Sequence, residues 1–163
     1  MIARLFTLLR ALFYASAFFL LWGWLAVSSR RYDPRLGVTL PAWLEPVGVV
    51  VLAVGGALAA ACVGWFVVAG EGTPAPFDAP RRFVARGPYR YVRNPMYWGG
   101  AGILVGYGLM QRSVAVLLVA VFMLGCAHTF VVLYEEPSLE GQFGEEYREY
   151  CRRVARWLPR IPG

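Results

Sequence analysis

Apolar and polar positions fall in long blocks along this chain rather than alternating residue by residue. The first apolar block runs from about Leu5 to Val27 and is densest from Ala11 onward (ALFYASAFFLLWGWLAV). A polar connector follows from Ser28 to Glu45, and Pro46 opens a second apolar block that reaches about Ala69. Gly70 to Asn94 is the longest polar segment. Met96 to Met110 is apolar but short, Gln111-Arg112-Ser113 interrupts it, and Val114 to Tyr134 is a full-length apolar run. Runs of about 20 apolar residues predict helices that cross a bilayer.

The pattern therefore predicts an all-α, polytopic membrane protein with about four transmembrane helices. Arg4 and Arg10 precede the first block, but its apolar part is longer than a signal-peptide core, so an uncleaved span is expected. Proline suits the first position of the second helix, because the missing N–H has no partner there. In that helix Gly56, Ala60 and Gly64 recur every four residues, which predicts a stripe of close helix approach. Residues 96–134 read as a helical hairpin with its tip at 111–113, and Gly102 and Gly106 form a GxxxG pair suited to packing its two arms. The hairpin returns the chain to its starting face, placing Glu135-Glu136 beside Arg93-Asn94-Pro95. From Pro137 the tail is amphipathic. Leu139, Phe143, Tyr147, Tyr150, Val154 and Trp157 recur at steps of three or four, so one cytosolic helix lying at the interface is expected. The whole chain, 1–163, reads as a single membrane domain, with two spans over 1–69 and a long loop, hairpin and tail over 70–163.

Composition supports this reading. Hydrophobic residues make up 58% of the chain and charged residues 16%, more apolar and less charged than a soluble domain. All sixteen basic residues are arginine, and the net charge is +6. They lie in short loops between apolar runs, which a membrane topology explains better than nucleic-acid binding. Twelve fall on the side of the termini and four (Arg30, Arg31, Arg35 and Arg112) on the other. By the positive-inside rule, the N and C termini and the site are cytoplasmic. Cys62, Cys126 and Cys151 are unpaired filler by position, and no metal-ligand cluster or nucleotide-binding loop is present. No metal and no protein partner is expected.

Two stretches carry candidate chemistry: Gly87 to Gly99, basic, aromatic and broken by two prolines, and Tyr134-Glu135-Glu136-Pro137. Carboxylates at a helix C-terminus oppose its dipole and are better placed beside a cation. Asn94-Pro95 is helix-start chemistry, and a helix start also favours an anion. The face offers donors for an anion beside carboxylates for an ammonium, which suits a zwitterion. His128, the single histidine, lies inside an apolar span seven residues before Glu135, and an ionisable group there is a functional candidate. A neutral histidine bonded to a neighbouring helix accounts for it equally well.

Three separated motifs then resemble the integral membrane methyltransferases, which include isoprenylcysteine carboxyl methyltransferases and phospholipid N-methyltransferases. They are Arg93-Asn94-Pro95-Met96-Tyr97-Trp98-Gly99, Tyr134-Glu135-Glu136-Pro137, and the tail Phe143-Gly144 to Tyr150 with Val154-Ala155-Arg156-Trp157-Leu158-Pro159. The resemblance covers about 70 to 163. It implies S-adenosyl-L-methionine as cofactor, held by Arg93, Asn94, Pro95, Tyr97, Gly99, Glu135 and Glu136. It also implies a lipid or lipidated methyl acceptor, with Tyr89, Arg90 and Arg156 toward the acceptor's polar head. An amine acceptor must lose a proton, and His128 or a Glu is the expected base. Asn94 and the Asn-Pro-Met-Tyr-Trp-Gly run look like the phospholipid branch, and the tail looks like the isoprenylcysteine branch. The alternatives are an NADPH-dependent membrane reductase of the sterol reductase type and a non-catalytic scaffold.

Overall fold

In a computed structural model, residues 2–65, 68 and 83–159 are described. Residues 71–80 of the long polar segment, with Arg81 and Arg82, lie outside them, as do residues 66, 67 and 69 of the second apolar block. Among the described residues the chain is helical, without an extended strand. Helix α1 spans Ile2–Ser29, α2 Asp33–Leu36, α3 Leu44–Trp65, α4 Pro95–Met110 and α5 Val114–Phe130. A π-helical turn, Val131–Glu135, joins α5 to α6 (Glu136–Phe143), and α7 covers Glu145–Arg153.

Among the described residues, two stretches are long and apolar enough to cross a membrane: Leu44–Trp65, and the continuous helical run Val114–Phe143. Only 22% and 28% of these windows is buried within the fold. Valines 47, 49, 50 and 54 and Leu118, Val121 and Phe122 point outward. So much exposed aliphatic surface on long helices is stable in lipid and not in water.

The chain divides into two compact units, interleaved in sequence. The unit of Ser16–Ala59 and Tyr97–Ala127 has a core of Ala26, Ala101, Leu104, Val116, Ala120 and Met123, flanked by Phe18 and Trp22. Its helices α3 and α4 approach through glycines, but not through the expected stripe. Added side-chain carbons at Gly56 and Gly64 would meet nothing within 4 Å. The close residues are one position away. A Cβ at Gly55 would lie 2.7 Å from the Ile103 nitrogen, and one at Gly48 2.6 Å from the Gly106 carbonyl. Gly102 and Gly106 likewise face α3 rather than the other hairpin arm, with Gly55 Cα 3.0 Å and Leu52 Cα 2.6 Å away. A step of one residue turns a helix by about 100°, so spacing alone does not say which of two adjacent small-residue rows faces a partner.

The hairpin tip falls at the expected place. Arg112 adopts φ +50°, and Ser113 N–H closes on Gly108 O at 2.8 Å. The Ser113 hydroxyl accepts from Val116 N–H at 3.2 Å, and Asp33 Oδ1 accepts from Ala115 N–H at 2.9 Å. The start of α5 is thus capped locally by serine and at long range by aspartate.

The second unit holds Met1–Ala15, Ala60–Met96 and His128–Gly163. Here Pro137 does not end the helix. It lacks an N–H and would crowd the carbonyl four residues back, and the wide turn ahead of it, with Glu136 N–H on Val131 O, relieves that conflict. The expected single tail helix is instead two. Gly144 takes φ +55°, a conformation open to glycine, and breaks it. Helix α7 stops at Arg153, and Val154 is extended with φ −115°. Arg156 and Trp157 therefore sit on a non-helical segment.

Candidate functional site

Three segments of this unit converge on Glu136. The first is the chain from Phe83 to Pro95. Gly87, at φ +59°, packs directly on the Trp65 ring, and a short 3₁₀ turn follows over Gly87–Arg90. Phe83 is set against Phe143, Tyr147 and Tyr150, with ring centroids 5.4, 5.8 and 4.9 Å away. Tyr150 donates its hydroxyl proton to Tyr89 O at 2.6 Å. The second segment is 154–157. Val92 and Ala155 form a parallel bridge, Arg93 N–H donates to Ala155 O at 2.9 Å, and the buried Asn94 amide donates to Arg156 O at 3.2 Å. The third is the π turn, which presents Glu136.

Arg156 grips Glu136 with two hydrogen bonds, Nε to Oε1 and Nη2 to Oε2, each 2.8 Å. Arg93 Nη2 lies 3.2 Å from Glu136 Oε1, and Arg93 Nη1 donates to Cys151 Sγ. Planar forks bonded to a largely buried carboxylate are strong, directional contacts. Two guanidinium groups thus meet one carboxylate in the cluster. Among the described residues, Arg93 Nε is the one buried side-chain nitrogen or oxygen without a hydrogen-bond partner. A buried donor left unmade is costly and marks a place where an acceptor fits.

The electrostatics follow from this packing. Hydrogen bonds to Glu136 raise the Arg156 guanidinium further above its ordinary range, against a smaller opposing effect of burial. Tyr147 and Tyr150 are both pushed far above a normal phenol, first by burial, and for Tyr147 next by the Glu136 charge. Tyr89 is raised the same way, first by burial, then by the neighbouring Cys62, with Glu135 adding to it.

Arg93, Asn94 and Pro95 share one compact unit with Glu135 and Glu136, while Tyr97 and Gly99, further along α4, belong to the other. Gly99 has a packing role there: a side chain would begin 2.8 Å from the Ala59 nitrogen. Tyr89 is buried, its phenol turned to Cys62. Arg90 is exposed and lies over the Tyr91 ring, 4.5 Å from its centroid, bonding the Tyr91 hydroxyl. Its guanidinium is thus engaged locally rather than with Glu136.

His128 Nδ1 accepts the indole N–H of Trp157 at 3.0 Å. An indole nitrogen only donates, so this bond takes the lone pair of Nδ1 and leaves the ring proton on Nε2. Sequence reasoning missed Cys151 as a partner of Arg93, and Trp157 as the partner of His128. No sequence signal marked Cys151. Trp157 stood in the resembling tail, but as part of an apolar stripe.

No solved structure gives a significant match to this chain. Over 78 residues it is 32% identical to the cobalt-zinc-cadmium resistance protein CzcN of Cupriavidus metallidurans, covering 48% of this chain and 36% of that protein. Over 67 residues it is 34% identical to the phosphatidylethanolamine N-methyltransferase of Mus musculus, covering 41% and 31%. The matched stretches thus span only about a third of these two relatives. An uncharacterised protein of Haemophilus influenzae is 41% identical over 64 residues, its entire length. The model of the phospholipid methyltransferase family matches residues 45–146, more than half the chain and including both candidate stretches. This chain belongs to the phospholipid methyltransferase family.

Proposed function

We propose that this protein is a membrane methyltransferase that uses S-adenosyl-L-methionine and acts on a lipid or lipidated acceptor, a phospholipid amine or an isoprenylcysteine-like carboxylate. The observation that carries the reading is the cluster of Arg93, Glu136 and Arg156, built from all three resembling motifs, with a buried guanidinium donor still open. Its donor set fits the methionyl end of the cofactor. The open Arg93 Nε suits a carboxylate, and Glu135 and Glu136 are assigned to the ammonium. Asn94 and Pro95 hold Arg93 at the start of α4.

When bound, the cofactor supplies a methyl group already activated on a sulfonium. The protein's task is then to orient an acceptor and exclude water. Arg156, and more peripherally Arg90 and Tyr89, are assigned to the acceptor side. A carboxylate acceptor needs no base, and an amine does. His128 serves as that base only if Trp157 releases Nδ1, because its lone pair is otherwise taken.

In this reading the chain is one membrane domain of four spans, with both termini and the cluster at the cytoplasmic face. The test is calorimetric titration of the purified protein with S-adenosyl-L-methionine and with NADPH, then incubation of labelled cofactor with phospholipids and prenylated peptides. Binding of the methyl donor with label transfer to a lipid is expected. NADPH binding, or binding of neither, overturns the proposal in favour of a reductase or a scaffold.

A further inference from the structure

The connector between α1 and α3 carries charge and aromatic surface that the candidate site does not use. Arg30, Arg31 and Arg35 are all exposed, and among the described residues none has a carboxylate partner. The two nearby acids are engaged elsewhere. Asp33 Oδ1 accepts the Ala115 N–H at 2.9 Å, and Glu45 stands 3.9 Å from Arg112. The Tyr32 ring holds two of the cations in place, with the Arg31 guanidinium 5.0 Å and the Arg35 guanidinium 5.6 Å from its centroid. Beyond Gly37, which ends α2 in a left-handed turn, Val38 is 53% and Trp43 67% exposed.

We propose that this connector is a binding site for anionic phospholipid headgroups. A guanidinium is a planar fork that bonds phosphate oxygens in pairs. Here the forks are fixed by a shared ring rather than neutralised by glutamate. The exposed Trp43 and Val38 supply the amphipathic and apolar surface that sits at the headgroup level. The tail offers a contrast within the same chain. There Arg148, Arg152 and Arg153 are each bonded to Glu140, Glu145 or Glu149 at 2.6 to 3.5 Å, so they present little uncompensated charge. This inference is independent of the methyltransferase reading.

The test is quenching of the protein's tryptophan fluorescence in nanodiscs by brominated phosphatidylglycerol compared with brominated phosphatidylcholine. The wild type is expected to prefer phosphatidylglycerol, and to lose the preference as salt rises. The variant R30Q/R31Q/R35Q should lose on the order of a hundredfold in relative phosphatidylglycerol affinity, the product of the roughly fivefold that each of the three arginines contributes near an anionic surface. R148Q/R152Q/R153Q removes the same charge from the tail and should leave the preference intact. Tyr32→Leu, which frees the two guanidiniums from their ring, should weaken the preference without changing net charge. Equal quenching by both lipids in the wild type, or equal losses in the two triple variants, overturns the proposal.

Discussion

Arg156 reaches back from beyond the last helix to hold both oxygens of Glu136, at 2.8 Å each. Glu136 is the counter-charge for two arginines, and its side chain is only 16% exposed. Glu136→Ala leaves both guanidiniums uncompensated and should destabilise the fold by roughly 2 kcal/mol, less than the roughly 3–5 kcal/mol of a fully buried broken pair because Arg156 retains some solvent. Arg156→Lys keeps the charge but loses the fork and should cost about 1 kcal/mol. Urea titration in detergent measures both. Equal stability of Glu136→Ala and wild type would show that the cluster does not support the fold.

The same cluster should decide ligand affinity. Arg93→Gln removes the open donor and should weaken S-adenosyl-L-methionine at least about tenfold, the loss expected for a charge-assisted bond. Titration calorimetry reads this directly. Unchanged affinity in Arg93→Gln and in Glu136→Gln together would remove the cofactor from this site.

Alkaline pH should unfold the protein earlier than acid-base balance at neutral pH suggests. Tyr89, Tyr147 and Tyr150 all have phenols raised above the ordinary value of 10.0. Below about pH 10 the folded and unfolded phenols are alike protonated, and stability does not change on their account. Above it the unfolded chain releases protons that the folded chain keeps, so stability falls as pH rises. Unfolding midpoints at pH 8, 9.5 and 11 should be level and then drop, and Tyr147→Phe should flatten the drop.

The glycine contacts between α3 and α4 give a paired test. Gly55→Ala and Gly106→Ala force backbone apart, because the added carbons would lie 2.7 Å from the Ile103 nitrogen and 2.6 Å from Leu52 Cα, and should each cost about 1–3 kcal/mol. Gly56→Ala meets nothing within 4 Å and should be neutral within about 0.5 kcal/mol. If Gly56→Ala proves the damaging change, the packing described for these helices is wrong.

The blocks of apolar residues by themselves determined that the chain is helical, where α3, α4 and α5 lie, and that the hairpin turns at Arg112-Ser113. Burial of apolar length is a local property, legible from any window of the chain. They also placed Arg93 and Glu136 on one face, because a hairpin must return. What only the tertiary structure decided is pairing and rotation. Gly55 rather than Gly56 faces α4, since a rotation of one residue leaves the spacing unchanged. Gly144 splits the tail, and the π turn before Pro137 keeps the helix going where proline alone predicts an end. Glu136 meets two arginines, Cys151 meets Arg93, and Trp157 takes the lone pair of His128. These contacts join residues 20, 58 and 29 positions apart. Their partners are selected by where the backbone brings side chains in space, which no local pattern of residue types encodes.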